Sequence, residues 1–352
     1  FWQEDNGGNV HEAVIRPPAI KEGSRIRIVA PSSPLTTSAM KSNLSKAVDF
    51  LKRQGFKVDL SSSVTHTSTT KYYTAGDHAR ADELENAFKS DDVDMIIALR
   101  GGAGSIDLLN MIDYDVIKDH PKIFVGYSDL TLLELAMFEK TGLVTFQGPM
   151  LQDLLEEDQT VLAYNWSTLL SIIKNGEELA LRNPPLSILS RTIIDGKARG
   201  RLVGGNLSMV ALIAGTEYMP DATKKILFLE DVNVEPWVVD NLLTSLVLRG
   251  VLQKTNGIFF GEFAHYGMED ILESRNATSF LLENFSIDDY VGSAIQNIIF
   301  DILAKKLEKV PSFVEFTCCH GKYITSLPIG INVELNSVEQ TVTMLESAVE
   351  VK

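Results

Sequence analysis

Cysteine is almost missing from this sequence: two of 352 residues, Cys318 and Cys319, and they are adjacent. A disulfide between sequence neighbours is strained and uncommon, and there is no third thiol to pair with either. The reading therefore expects no disulfide framework, no cysteine-type zinc site and no need for an oxidising compartment. Long apolar runs are missing too. No stretch reaches 18 consecutive apolar residues, so no membrane-spanning helix is expected. Positive charge is in deficit, with 32 Lys and Arg against 47 Asp and Glu, a net charge of −15 and a pI near 4.9. The basic residues are scattered, and Lys305-Lys306 reads as a solvated helix face. Phosphate backbones need clustered cations, which argues against a nucleic-acid partner. No two of the six histidines have metal-ligand spacing, so no zinc site is expected. Residues 1–22 are polar, lack the basic-then-apolar order of a secretory leader and read as an unpatterned extension.

Hydrophobic residues make up 45% of the chain, enough for a core in each of two domains. Residues 26–30 read as a buried strand, followed by a helix in which Met40, Leu44, Ala47, Val48 and Leu51 share a face, with Ser38 as its cap. Asp77 is placed to cap a second helix carrying Ala81, Leu84 and Phe88. Residues 93–99 and 122–126 are further strands, residues 129–140 a helix and residues 143–146 another strand. Strands separated by helices predict an α/β fold, an N-terminal parallel sheet flanked by helices in Rossmann-like fashion. After Pro184-Pro185 the pattern is mixed: strands at 226–229 and 258–261, a helix at 237–248, and a hairpin whose first strand carries Ile329, Ile331, Val333 and Leu335 on one face. The expected organisation is an N-terminal α/β domain over 23–170, a linker over 171–199 and a smaller mixed α+β domain over 200–352.

Several positions could carry chemistry. Gly126-Tyr127-Ser128-Asp129 lies between a strand and a helix, where a serine hydroxyl is exposed and the helix-opening N–H groups face developing negative charge. A plain helix cap at Ser128 or Asp129 is the alternative. Arg100-Gly101-Gly102-Ala103-Gly104 follows a strand, and its glycines permit close backbone approach to a ligand or simply make a tight turn. It does not fit the dinucleotide-binding fingerprint. His320, on a loop just before a patterned strand, and His265, after one, compete as a base, while His78 and His120 read as solvated and His11 lies in the unpatterned terminus. Glu230 and Asp231 follow four apolar strand residues, an unusual place for carboxylates, with turn capping as the alternative. Asn206, beside two glycines, serves either as a polar substrate contact or as a turn residue.

Taken together, the segments Ala30-Pro31-Ser32-Ser33-Pro34, Arg100-Gly101-Gly102, residues 121–131, Gly148-Pro149-Met150, Gly204-Gly205-Asn206-Leu207, residues 226–231 and Leu327-Pro328-Ile329-Gly330 resemble the LD-carboxypeptidase family of serine peptidases. That group also contains microcin-immunity peptidases, and the similarity runs from about residue 23 to 345. The resemblance implies a Ser-His-Glu triad carried by Ser128, His320 and Glu230, which selects His320 over His265. It also implies an oxyanion hole from the backbone N–H groups of Asp129 and Gly102. By the same resemblance the substrate is a murein tetrapeptide losing its terminal D-alanine, with no metal or cofactor, in a cytoplasmic homodimer that recycles peptidoglycan. The chain departs from the usual family residues at Gln147, at Asn241 and at Cys318-Cys319, positions that bear on the substrate pocket. A microcin-immunity-type peptidase acting on an aminoacyl-nucleotide-like toxin is the second reading, with Trp166 as a base-stacking ring. A murein-peptide binding module without turnover is the third.

Overall fold

The computed structural model describes residues 2–4, 10–35, 38–65, 72–176, 178–185, 187, 190–264, 287–307 and 309–351. A short antiparallel pair, β1 (Trp2–Glu4) with β2 (Val10–Glu12), stands alone. The first sheet then grows from β3 (Arg25–Val29), β4 (Lys57–Leu60), β5 (Met95–Ala98), β6 (Ile123–Gly126) and β7 (Thr145–Gln147). These pair in parallel in the order β7-β6-β5-β3-β4. Every residue of β5 and β6 is buried, the signature of parallel strands covered on both faces. The alternation of strands and helices in the sequence is borne out. The covering helices include α1 (Ser38–Arg53), α2 (Ser62–Thr65), α3 (Asp77–Lys89), α4 (Tyr114–Asp119), α5 (Thr131–Thr141) and α6 (Gln159–Asn175).

The second sheet has eight strands: β8 (Ala180–Leu181), β9 (Arg191–Ile194), β10 (Lys197–Asn206), β11 (Ile226–Val232), β12 (Gly257–Ala264), β13 (Ser312–Phe316), β15 (Asn332–Asn336) and β16 (Thr341–Met344). Its order is β8-β16-β15-β10-β11-β12-β13-β9, parallel from β10 to β13 and antiparallel elsewhere. The first half of β10 pairs with β15 and its second half with β11, so this one strand joins the two parts of the sheet. Helices α7 (Leu207–Ile213), α8 (Pro236–Leu248), α9 (Val251–Lys254) and α10 (Ile287–Lys306) complete this half.

Three local expectations change. The hairpin strand expected through Ile329, Ile331, Val333 and Leu335 is cut at Gly330, which takes φ +100. Residues Leu327–Ile329 become β14 and join the first sheet antiparallel to β7, while β15 belongs to the second. All four apolar side chains are buried, but against two sheets. Asp77 does not cap α3. Gly76 occupies that position, and Asp77 pairs instead with Arg80 at 2.6 Å. Of the N-terminal extension, residues 13–20 are packed: Ile15 bridges to Leu143, Pro18 bridges to Glu350 and Ile20 is 2% exposed.

Helix α5 explains how the halves meet. Apolar residues dominate its first two turns, and Thr131 to Phe138, Glu134 included, are all buried. It packs on β6 and β7 of the first sheet and on β10, β14 and α7. Burying Leu132, Leu133, Leu135, Met137 and Phe138 contributes about 1.5–3 kcal/mol each. On the other side of this interface, Gly204 takes φ +120, and a Cβ there would overlap the Phe228 carbonyl oxygen on β11. Gly204→Ala is therefore expected to cost about 3 kcal/mol or more, from backbone strain and a clash that rigid backbone cannot relieve. Urea denaturation of the two proteins measures it.

Candidate active site

Strand β6 ends at Gly126, where a Cβ would lie 2.8 Å from the Leu130 side chain; its absence lets the chain fold back on itself. Tyr127 is fully extended, and Ser128 then takes φ +64, a left-handed conformation that costs a non-glycine residue about 1–3 kcal/mol. A single 3-10 turn, Ser128–Leu130, leads into α5. Ser128 is half-buried although its neighbours on both sides are buried. The strain thus holds one hydroxyl out of the core at the carboxyl end of a parallel strand.

Across from it, His320 Nδ1 lies 2.6 Å from Glu230 Oε2. Glu230 is completely buried at the end of β11, and the imidazole side chain is 13% exposed. A ring that donates from Nδ1 to a carboxylate keeps Nε2 free of a proton, the arrangement that lets an imidazole accept one. Tyr127 packs edge-on against the ring at 5.0 Å between centroids. Burial lowers the imidazole pKa, but the charge and hydrogen bond of Glu230, with Asp231 and Asp153 behind them, outweigh it, so the net shift is upward.

Asn206 is not on the cavity wall. It is 3% exposed at the end of β10, and its Nδ2 donates to Glu230 Oε1 at 3.3 Å and to Asp231 Oδ1 at 2.9 Å. Its Oδ1 accepts the Met209 N–H and caps α7. Asp231 accepts further from the Ser208 N–H and hydroxyl and the Val232 N–H. Burial raises its pKa, the Glu230 charge adds to this, and those donors pull it back in part.

The glycine run after β5 lies against the serine. A Cβ on Gly101 would fall 2.9 Å from Ser128 Cβ and 3.1 Å from its Oγ. Gly102, at φ +125, is seated on Ser33. Two buried side chains brace this loop. Asp129 Oδ2 accepts the Ser32 hydroxyl at 2.5 Å and the Ser105 N–H at 2.9 Å. Arg80, 1% exposed, donates to the Gly104 carbonyl at 2.9 Å and to the Pro31 carbonyl. Arg80 escaped the sequence reading because a charged residue on an amphipathic helix looks solvated until the loops that cover it are known.

Ser128, His320, Gly102, Arg100, Lys322 and Asp153 line one cavity of about 810 Å³. Asp153 was also missed. Its carboxylate accepts the Tyr127 hydroxyl at 3.1 Å and the Met150 N–H at 2.8 Å, and burial raises it to about 6 against the pull of those donors and of His320. Glu262 lies under Gly321, whose Cβ would fall 2.6 Å from its carboxylate. Burial, with the charges of Glu315 and Glu230 nearby, raises its pKa to about 8.

Other expected positions lie elsewhere. His265 and His66 fall outside the described residues, and His78 and His120 are exposed. Asn241 is exposed on α8, and Gln147 is wholly buried. Trp166 is 4% exposed, packed edge-on against Phe50 and Phe56, and so is unavailable for stacking on a base. The sulfurs of Cys318 and Cys319 are bonded to each other, a pairing of neighbours that ties no separate elements together. Cys319 takes φ +62, a turn that brings together consecutive side chains that diverge along an extended strand. Among the described residues no group of three or more His, Cys, Asp or Glu could hold a metal, and no helix is long and apolar enough to cross a membrane.

An NMR titration of His320 is expected to give a pKa above the ordinary imidazole value. In Glu230→Gln it is expected to fall, because the charge and hydrogen bond that offset burial most strongly are lost. The sign for stability follows. A raised folded-state pKa stabilises below the unfolded value, and the gain is lost as pH rises through the folded one. The urea stability gap between the parent and Glu230→Gln should therefore be widest below the ordinary imidazole value and narrow as pH rises through the raised folded-state one.

Residues 26–148 match the model of the LD-carboxypeptidase N-terminal domain and residues 199–335 that of the C-terminal domain. A probable murein peptide carboxypeptidase of Bacillus subtilis is 31% identical over 330 residues, covering 93% of each chain. The microcin C7 self-immunity protein MccF of Escherichia coli is 27% identical over 362 residues, covering 96% of each. Among solved structures, an MccF-like protein from Bacillus anthracis superimposes with a TM-score of 0.79 at 27% identity, over 95% of this chain and 100% of that one. The muramoyltetrapeptide carboxypeptidase of Oxalobacter formigenes gives 0.71 at 26%, over 91% and 98%. On both family models and a relative aligned over nearly its whole length, the chain belongs to the LD-carboxypeptidase family of serine peptidases and is a carboxypeptidase by class.

Proposed function

We propose that the protein is a Ser-His-Glu LD-carboxypeptidase that releases the terminal D-alanine of a murein tetrapeptide. The observation that carries this reading is the 2.6 Å bond from His320 Nδ1 to the buried Glu230, on an imidazole that shares its cavity with Ser128. Ser128 Oγ attacks the scissile carbonyl carbon while His320 Nε2 takes its proton. The N–H groups of Asp129 and Gly102 hold the oxyanion, each such donor typically contributing about 3 kcal/mol. The C–N bond breaks as His320 returns the proton to the leaving nitrogen. Water then attacks the acyl-enzyme by the same route, regenerating Ser128 and freeing the shortened peptide. Arg100 and Lys322 on the cavity wall supply the positive charge that a terminal carboxylate needs. The microcin-type reading loses its stacking ring with Trp166 in the core, so the murein peptide is preferred.

The test is release of D-alanine from a murein tetrapeptide by the parent and its variants. Ser128→Ala is expected to lower kcat by about 10⁴-fold or more, and His320→Ala nearly as much. Glu230→Gln should be about a hundredfold less severe, and combined variants little worse than Ser128→Ala alone, since residues acting as one unit are not additive. His265→Ala should stay within about threefold of the parent, because the role of base is assigned to His320. Activity should also survive exhaustive chelation, every step being assigned to protein groups. Turnover of an aminoacyl-nucleotide conjugate but not of the tetrapeptide would favour the immunity reading, and tight tetrapeptide binding without turnover a binding module.

A further inference from the structure

Behind the turn that carries Ser128 lies a layer of buried polar side chains to which the hydrolysis assigns no role. Gln147 on β7 and Thr131 and Glu134 on α5 are all inaccessible to solvent. Gln147 Nε2 donates to Glu134 Oε2 at 2.5 Å and to Thr131 Oγ1 at 3.1 Å. The Gly126 N–H lies near the Glu134 carboxyl and acts to lower its pKa. Ser128 is therefore bracketed, because Gly126 two residues before it and Thr131 three residues after it lie against the same carboxyl and amide. The layer crosses to the second sheet, where Thr131 Oγ1 accepts the Asn206 N–H at 3.1 Å and the Asn206 amide holds Glu230. Gly205 makes this approach possible, since a Cβ there would fall 2.6 Å from both Gln147 Nε2 and Thr131 Oγ1. On its other side, Gln147 Oε1 lies 3.5 Å from Cys319 Sγ, next to His320 in sequence.

We propose that Gln147 is a positioning residue for the hydrolysis, acting with Glu134 and Thr131 to hold the Ser128 turn in register with Asn206, Glu230 and the His320 loop. This rests on the reading of Ser128, His320 and Glu230 as the triad. One side-chain amide bonds Thr131 close after Ser128, touches Cys319 next to His320, and through Thr131 and Asn206 is linked to Glu230; the layer has no exposed surface, so a lost partner there is not made good by bulk solvent. Burial pushes the Glu134 carboxyl well above the usual range, with the Gly126 and Gln147 donors offsetting only part of the shift.

A fluorophosphonate, which reports the nucleophilicity of Ser128 whatever the natural substrate, tests this alongside peptide kinetics. Gln147→Leu is expected to slow labelling of Ser128 and to lower kcat by about 10- to 100-fold, with KM within about twofold. Glu134→Gln keeps a neutral acceptor of the same shape and should stay within about threefold of the parent on both readouts. The double variant Glu134→Leu with Gln147→Leu makes both partners apolar, so its Tm should recover toward the parent's while labelling stays slow. If the double variant labelled at the parental rate once its Tm had recovered, or if Glu134→Gln were as slow as Gln147→Leu, the proposal would be overturned. Should the double variant not fold, Thr131→Val decides: slow labelling at an unchanged Tm supports the layer, and parental labelling overturns it. A parent that is not labelled at Ser128 counts against the triad reading itself.

Discussion

A carboxylate without access to water keeps its charge only where donors meet it, and Glu230 is such a group. Its two oxygens face His320 Nδ1 and Asn206 Nδ2, and each partner comes from a separate stretch of chain. For both to arrive, the ends of β10 and β11 must lie side by side and the loop after β13 must return over them. Removing one partner of a buried pair of this kind typically costs about 3–5 kcal/mol. The placement of these elements is thereby coupled to one bond, which also sets the tautomer and the raised pKa of the imidazole.

The opposite wall is held by a different kind of force. Ser128 sits in a left-handed conformation that its own backbone disfavours, and the surrounding packing offsets the strain. Leu130 fills the space left by Gly126, and Gly101 presses on Ser128 from the neighbouring loop. Asp129 and Arg80, both nearly devoid of exposure, tie that loop to the Pro31-Ser32 segment through a serine hydroxyl and backbone groups. A backbone loop fixed by buried hydrogen bonds is pre-organised, which is what stabilising a transient oxyanion demands.

Much of the first sheet is legible locally because a parallel strand covered on both faces is a short apolar run and a covering helix repeats at 3.6 residues. Met95–Ala98 and Ile123–Gly126 are such runs. The alternation from Ile329 to Leu335 is just as regular, yet it divides between two sheets. Periodicity records which side chains are buried, not which neighbour buries them, and only the Phe138 ring beside Gly330 explains the break. Asn206 is a similar case, since a polar residue next to two glycines looks available for a ligand until the buried carboxylates beside it are known.

The sequence by itself determined the α/β class, the family and the residue types able to act as nucleophile, base and carboxylate, because these follow from local patterns and from motifs in a set order. What only the tertiary structure decided is which polar groups lose water and whom they meet. Ser128, Glu230 and His320 stand far apart in the chain, and a pairing at such separation leaves no trace in local periodicity. Arg80, Gln147 and Glu134 owe their roles to burial, and burial of a polar side chain belongs to the assembled fold rather than to any segment of it.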